Sequence, residues 1–329
     1  MNRRPVTREE ADRIFQTLLG RPLDPQDFPE GRDPVSFALE VACSDEARAR
    51  VLAAARAGQR YWVSPAGAHD VITATADAMI GETIRRQGRF AEDDIAFVCS
   101  ALAAGEQARG GVFLDIGANI GSNTLYALAN GFKRALAVEP DPENLRILRA
   151  NLALAGFDDR AVVVGAALSD RDGEALLERS PANFGDHRVA PDETDGAHGE
   201  ASWERIAVPL RRLDSVMAAA GIAPDDVGLA WIDTQGHEAQ VLAGASDLLA
   251  ARAPVVAEFW PYGLVRSGGW AALLAMLDRL ERPLFDLRES VAAGALVETT
   301  AERLAAMRGP ALAAEGPGGS PHTDVLILP

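Results

Sequence analysis

A chain of 329 residues is long enough for one large domain with a smaller one beside it. Its formal net charge of −16 disfavours a nucleic-acid partner, because neutralising phosphates with Lys and Arg supplies most non-specific affinity for such polymers. The two cysteines, Cys43 and Cys99, give neither zinc spacing nor a disulfide framework. No 18-residue apolar run exists to span a membrane, and MNRRPVTREEADRIF lacks a signal-peptide core, so the expected compartment is the cytoplasm.

Residues 1–60 read as a small helical module. Thr7 followed by Glu10 has capping-box spacing, and Ile14, Leu18 and Leu19 follow at helical intervals. The turn-rich GRPLDPQDFPEGRDP comes next, and then SFALEVACSDEARARVLAAAR, which reads as one or two further helices. Residues 1–60 carry ten basic and ten acidic side chains, so the whole charge excess falls in 61–329, the main domain.

That domain opens with VITAT, a short strand, and with EDDIAFVCSALAAG, a helix stopped by Gly105. From residue 111 apolar strands alternate with helices. VFLDIG, RALAVEP, AVVVGAAL, GLAWID and APVVAEFW read as strands, and SNTLYALAN, PENLRILRANLALAG, HEAQVLAGASDLLAA and WAALLAMLDRL as the helices between and after them. PLFDLRE and TDVLILP read as the last two strands. The alternation predicts an α/β fold with a mostly parallel sheet covered by helices on both faces. GEALLER and RIAVPL interrupt it and read as a hairpin around the long loop SPANFGDHRVAPDETDGAHGEAS.

In such a sheet, ligands bind at the carboxyl ends of the strands. VFLDIGANIG stops at Asp115, and Gly117 and Gly121 then bracket a turn into a helix. The spacing is D-x-G-x-x-x-G, without the middle glycine that admits a pyrophosphate in a dinucleotide site. Asp115 also places a carboxylate where a diphosphate would be repelled. Glu139 ends the next strand, 24 residues on, near the spacing of an acid that holds a ribose diol. A nucleoside with a positive, phosphate-free tail, S-adenosylmethionine, satisfies both acids.

DIGANIGSNT, AVEPDPENLRILRANLALAG, WIDTQGHEAQVLAGA and APVVAEFW together resemble the FkbM family of methyltransferases, over roughly residues 70–329. The resemblance implies a Rossmann-like class I methyltransferase sheet of seven strands, the last antiparallel. It also implies S-adenosylmethionine as methyl donor and a hydroxyl oxygen, on a small-molecule or glycan-like substrate, as acceptor. By motif match Asp115, Gly117, Ala118, Asn119, Gly121 and Glu139 line the cofactor site, with Ala166 and Ala167 beside the adenine. RIFQTLLGRPLDPQDF resembles a small helical module that accompanies enzymes of surface-glycan biosynthesis.

Asp233 and His237, at the end of GLAWID and in the turn after it, are the candidates for a base at the acceptor hydroxyl. His237 also reads as a helix-start histidine bonded to backbone, and Glu238 as a helix cap. Gln235 stands where many family members carry glutamate, and reads as a polar contact rather than a base. Asp233, His237 and Glu258 could in principle hold a divalent ion, but a pair of acids at a cleft rim explains them without a metal. Asn183, His187 and Arg188 in the long loop are the candidates for acceptor contacts, together with Gln235 and Glu258. Two alternatives stay open, a nitrogen acceptor on the same fold and a cofactor-binding protein without turnover.

Overall fold

The computed structural model describes residues 60–90, 92–102, 111–191, 196–309 and 322–329, with parts of 5–41. The chain divides into two compact units, Met1–Arg60 and Tyr61–Pro329.

In the first unit, helix α1 spans Arg8–Leu19. Its start is a capping box. The backbone N–H and hydroxyl of Thr7 donate to Glu10 at 2.9 and 3.1 Å, and the Glu10 N–H returns a bond to the Thr7 hydroxyl. Ala11, Phe15, Leu23, Phe37 and Val41 form a small buried cluster, with the rings of Phe15 and Phe37 stacked 5.8 Å apart. Of the helices expected over 36–56 only Phe37 and Val41 are among the described residues, both helical, and the helix stop at Gly105 lies outside them.

The second unit begins with a hairpin, β1 (Tyr61–Ala66) and β2 (His69–Ala74), and two helices, α2 (Ile80–Gln87) and α3 (Glu92–Leu102). Then come β3 (Val112–Ile116), α4 (Ser122–Ala129), β4 (Arg134–Val138), α5 (Pro142–Leu154) and β5 (Ala161–Val164). A second sheet follows, made of β6 (Ala167–Leu168), β7 (Gly173–Arg179), β8 (Arg188–Val189) and β9 (Glu204–Arg211). The chain returns through α6 (Leu213–Ala219) to β10 (Val227–Ile232), and through α7 (Glu238–Ala243) and α8 (Ser246–Ala250) to β11 (Val255–Phe259). Helices α9 (Pro261–Arg266) and α10 (Trp270–Arg279) precede β12 (Leu284–Asp286), α11 (Leu287–Ala293), α12 (Ala301–Ala305) and β13 (Thr323–Ile327).

The main sheet has seven strands in the order β12-β13-β11-β10-β3-β4-β5. The last strand, β13, runs antiparallel to both of its neighbours. This is the class I methyltransferase sheet. Every residue of β3, β10 and β11 is buried, as strands covered on both faces require. Val112, Leu114 and Ile116 face one core layer and Phe113 the other. The chain winds outward from β3 through β4 and β5, then restarts at β10 on the other side. That reversal opens a crevice at the carboxyl ends of β3 and β10, where Ile116 pairs in register with Val138 and Ile232.

Four elements differ from the sequence reading. AVVVGAAL is two strands in two sheets, because the chain turns at Gly165, where a Cβ would lie 2.8 Å from the Leu145 side chain. HEAQVLAGASDLLAA is two helices, the second started by Asp214, whose carboxylate accepts from the Ser246 N–H at 3.0 Å. PLFDLRE gives only three strand residues, since Asp286 caps α11 by accepting from the Glu289 N–H at 3.0 Å. YWVSPA is a strand that the sequence reading left unassigned, and it pairs with a longer β2 than VITAT predicted. The expected hairpin of GEALLER and RIAVPL is present as β7 and β9.

Phe113 is fully buried at the centre of the sheet, tilted against Phe132 at 5.3 Å. Phe113→Ala is expected to cost about 3–5 kcal/mol in denaturant unfolding, the range for an aromatic truncated in a core. A loss below about 1 kcal/mol would mean that this layer is loosely packed.

Candidate functional site

The turn after β3 is the floor of the crevice. Gly117 has φ +86°, and a Cβ there would stand 1.8 Å from the carbonyl oxygen of Asp233, so the turns after β3 and β10 touch through backbone alone. Gly121, at φ +93°, starts α4 against the side chain of Leu148. Asn119 also holds a left-handed conformation, φ 50°. Its own Oδ1 accepts from the Ile120 N–H at 2.7 Å, and its N–H points at Glu139.

Glu139 stands just past the end of β4. Its two carboxylate oxygens each accept one backbone N–H, from Asn119 and from Asp141, both at 2.8 Å. Burial nevertheless pushes its pKa up to about 8. Asp141 in turn caps α5, accepting from the Glu143 and Asn144 N–H groups, and binds Arg179 of β7 at 2.7 Å.

A cavity opens above this floor. Gly117, Ala118, Asn119, Glu139, Ala166 and Ala167 line it, and so do Asp233, Gln235 and His237 from the turn after β10 and His187 from the long loop. Asp115, Gly121, Asn183, Arg188 and Glu258 do not line it. Asp115 lies on the Phe113 side of β3, buried, and takes a very short hydrogen bond from the Thr124 hydroxyl. Burial raises its pKa to about 7 in spite of that bond. Arg188 is buried and fully engaged, with Asp186 at 2.7 Å and Glu200 at 2.7 Å, and Trp260 and Trp203 cover its guanidinium.

The roof is the loop between β7 and β8. The side-chain amides of Asn119 and Asn144 both donate to the carbonyl oxygen of Phe184, at 2.7 and 2.9 Å. A buried latch holds the small sheet to α9. Glu178 accepts from Arg266 at 2.6 and 2.9 Å and from Arg205 at 2.5 Å, while Glu200 accepts from the Tyr262 hydroxyl at 2.7 Å. The sequence reading missed Phe184, Asn144 and Thr234 as cavity residues. Asn144 sits in the first turn of the helix that follows Glu139, a spacing that could have marked it. Phe184 contributes a main-chain oxygen, which leaves no trace in side-chain pattern.

The wall beneath β10 is a row of acids. The Gln235 amide donates to Asp233 at 2.6 Å and to both Glu258 oxygens at 3.2 Å, from a backbone at φ 55°. Glu258 of β11 pairs in register with Asp324 of β13. Burial raises the pKa of Asp233, takes Glu258 well above the usual range and brings Asp324 to about 8, and the acids add mutual repulsion. Glu238 is buried just below, accepting from the Thr234 N–H and hydroxyl, and burial brings it to about 7. His237 is pushed down to about 4 by burial, and its Nε2 lies 3.0 Å from the Ser169 hydroxyl rather than against backbone. Among the described residues, no group of three or more His, Cys, Asp or Glu side chains is arranged to hold a metal ion.

Residues 115–282, half of the chain, match the family model of the methyltransferase FkbM domain. The chain belongs to the FkbM methyltransferase family. The matched FkbM segment runs from Asp115 through the site to Arg282, beyond α10. Among curated proteins, the 2-O-methyltransferase NoeI of Sinorhizobium fredii is 34% identical over 188 residues, covering 54% of this chain and 72% of that protein. Among solved structures, the FkbM methyltransferase from Methylobacillus flagellatus KT is 14% identical with a TM-score of 0.39, covering 96% of this chain and 58% of that one. The chain thus spans little more than half the length of that FkbM structure. A SAM-dependent methyltransferase from Agrobacterium tumefaciens is 15% identical with a TM-score of 0.26, over 33% of each chain. The assignment to the FkbM family rests on the family model and the curated relative.

The raised acids give a signed prediction. A carboxyl group whose folded pKa lies above its unfolded value binds protons that the unfolded chain has already released, so stability falls as pH rises between the two values. For Asp324 that window runs from 3.8 to about 8. Asp324→Asn is therefore expected to melt with the unsubstituted protein near pH 4 and above it near pH 8, with a flatter dependence between. Parallel melting curves for the two across that range would show that Asp324 is not held in an unfavourable place.

Proposed function

We propose that this chain transfers a methyl group from S-adenosylmethionine to a hydroxyl oxygen of a small-molecule or glycan-like acceptor. One observation carries the reading of the cofactor. Two carboxylates, Glu139 and Asp233, line the same cavity at the carboxyl edge of the sheet, and no Arg or Lys among the described residues bonds either one. Burial holds both acids toward their neutral forms, and a ligand carrying positive charge and no phosphate would favour their charged forms. Each Glu139 oxygen has accepted one N–H and keeps a further lone pair, which suits the two hydroxyls of a ribose. The residues present therefore fit the cofactor, which when bound supplies a methyl group on a positively charged sulfur.

The chain's own part is to orient and to take a proton. In-line alignment of the acceptor oxygen can supply up to roughly 7–11 kcal/mol of the barrier. As the new oxygen–methyl bond forms and the sulfur–methyl bond breaks, the hydroxyl proton must leave, and a positioned base adds about 10²- to 10⁴-fold. Of the two candidates we assign the base role to Asp233, because burial raises the proton affinity of its carboxyl and lowers that of the His237 ring. The Gln235 amide donates to the Asp233 carboxylate and, from the same nitrogen, to Glu258. The name of the NoeI relative, a 2-O-methyltransferase, supports oxygen as the acceptor atom. We assign the protein to the cytoplasm on its cysteine usage, and no helix among the described residues is long and apolar enough to cross a membrane.

Calorimetric titration with S-adenosylmethionine and S-adenosylhomocysteine tests the cofactor. Both are expected to bind, and Glu139→Ala to weaken them about 10- to 100-fold, the worth of bonds to a charged acceptor. Failure of either ligand to bind the unsubstituted protein would remove the reading. Asp233→Asn is expected to keep S-adenosylhomocysteine affinity and to lower methyl transfer on a panel of hydroxylated sugars by about 10²- to 10⁴-fold.

A further inference from the structure

Ser169 follows β6 and is buried directly behind the cavity wall. Its hydroxyl oxygen makes two contacts, 3.0 Å to Nε2 of His237 and 3.2 Å to Oδ1 of Asp170. A hydroxyl group has one proton to donate, and a carboxylate can only accept. The proton of Ser169 therefore goes to Asp170, an exposed side chain that also pairs with Arg171 at 3.1 Å. The contact with His237 must then run the other way, with Nε2–H donating to the serine oxygen. In a neutral imidazole one nitrogen carries the proton and the other a lone pair. The ring is neutral near pH 7, since burial takes its pKa down to about 4. The lone pair is left on Nδ1, which no group among the described residues bonds, and the His237 ring lines the cavity beside Asp233 and Gln235.

We propose that Ser169 fixes His237 as the Nε2–H tautomer, so that Nδ1 stands at the cavity as a hydrogen-bond acceptor for the hydroxyl group of the methyl acceptor. Ser169 is a positioning residue in this arrangement. It touches no ligand and acts through the histidine. His237 receives a hydrogen bond and so selects for a donor on the substrate, while Asp233 takes the proton. The substrate part of the inference rests on the methyltransferase reading; the tautomer part does not.

The tautomer and the integrity of the parent site are read in one set of samples. The full-length protein is made with isotope-labelled histidine, and the ring nitrogens are observed by NMR near pH 7, with His237→Gln to identify the signal. The expected result is a neutral His237 ring protonated on Nε2. Ser169→Ala is expected to lose that preference and give a mixture of tautomers, while Ser169→Thr, which keeps the hydroxyl, restores the original pattern. S-adenosylhomocysteine binding by calorimetry is expected to stay unchanged in both variants, which shows that the fold is intact. A ring protonated on Nδ1, a ring charged at pH 7, or an unaltered pattern in Ser169→Ala would overturn the proposal. Absence of S-adenosylhomocysteine binding in the unsubstituted protein would overturn the substrate role through failure of the parent reading, and the ring pattern would still report the tautomer on its own.

Discussion

The structure turns on burying carboxyl groups that no Arg or Lys among the described residues bonds. Glu139, Asp233, Glu258 and Asp324 lie along the carboxyl edge of one sheet, and each has a pKa raised by burial. Desolvating a carboxylate is costly, so each is either held by N–H donors or kept near its neutral form. The backbone around them is arranged for that purpose. Asn119 and Gln235, two non-glycine residues at positive φ, aim an N–H at Glu139 and an amide at Asp233. Gly117 lets the two turns that carry these donors meet without a side chain between them.

The sheet was legible because its strands are buried on both faces and read as unbroken apolar runs between helices with caps. VFLDI, GLAWI and VVAEF could hardly be anything else. Legibility failed where a local device overrode the run. The close approach of Gly165 to Leu145 cut one strand into two, and the carboxylates of Asp214 and Asp286 started helices inside what read as longer elements. The strand YWVSPA was hidden by its proline and by alternation too short to stand out.

The site was legible to the extent that it is built from the turns themselves. Gly117, Ala118, Asn119 and Glu139 are neighbours in a motif, and they meet at the cavity because strand register brings Ile116 beside Val138. Asp115 shows the limit of that reasoning. The motif places it with the others, but strand alternation turns it to the Phe113 side, where it anchors Thr124 and supports the floor from below. Arg188 likewise read as a loop cation free for a ligand, and instead sits between two tryptophans with two carboxylates. Partners that come from residues far apart in the chain, such as Ser169 with His237 or Asn144 with Phe184, leave no periodic signal.

The roof has a property of its own. Asn119 and Asn144 grip it through the carbonyl oxygen of Phe184, and the latch at Glu178 fixes the small sheet that carries it. Neither attachment uses a side chain of residues 181–185. Main-chain atoms therefore fix the roof, while the Phe184 ring packs against the Phe113 layer and Gly185 lies too close to Ile80 for a side chain. A roof held by its backbone keeps its height over the cavity whatever side chains stand at the exposed positions of Pro181 and Ala182.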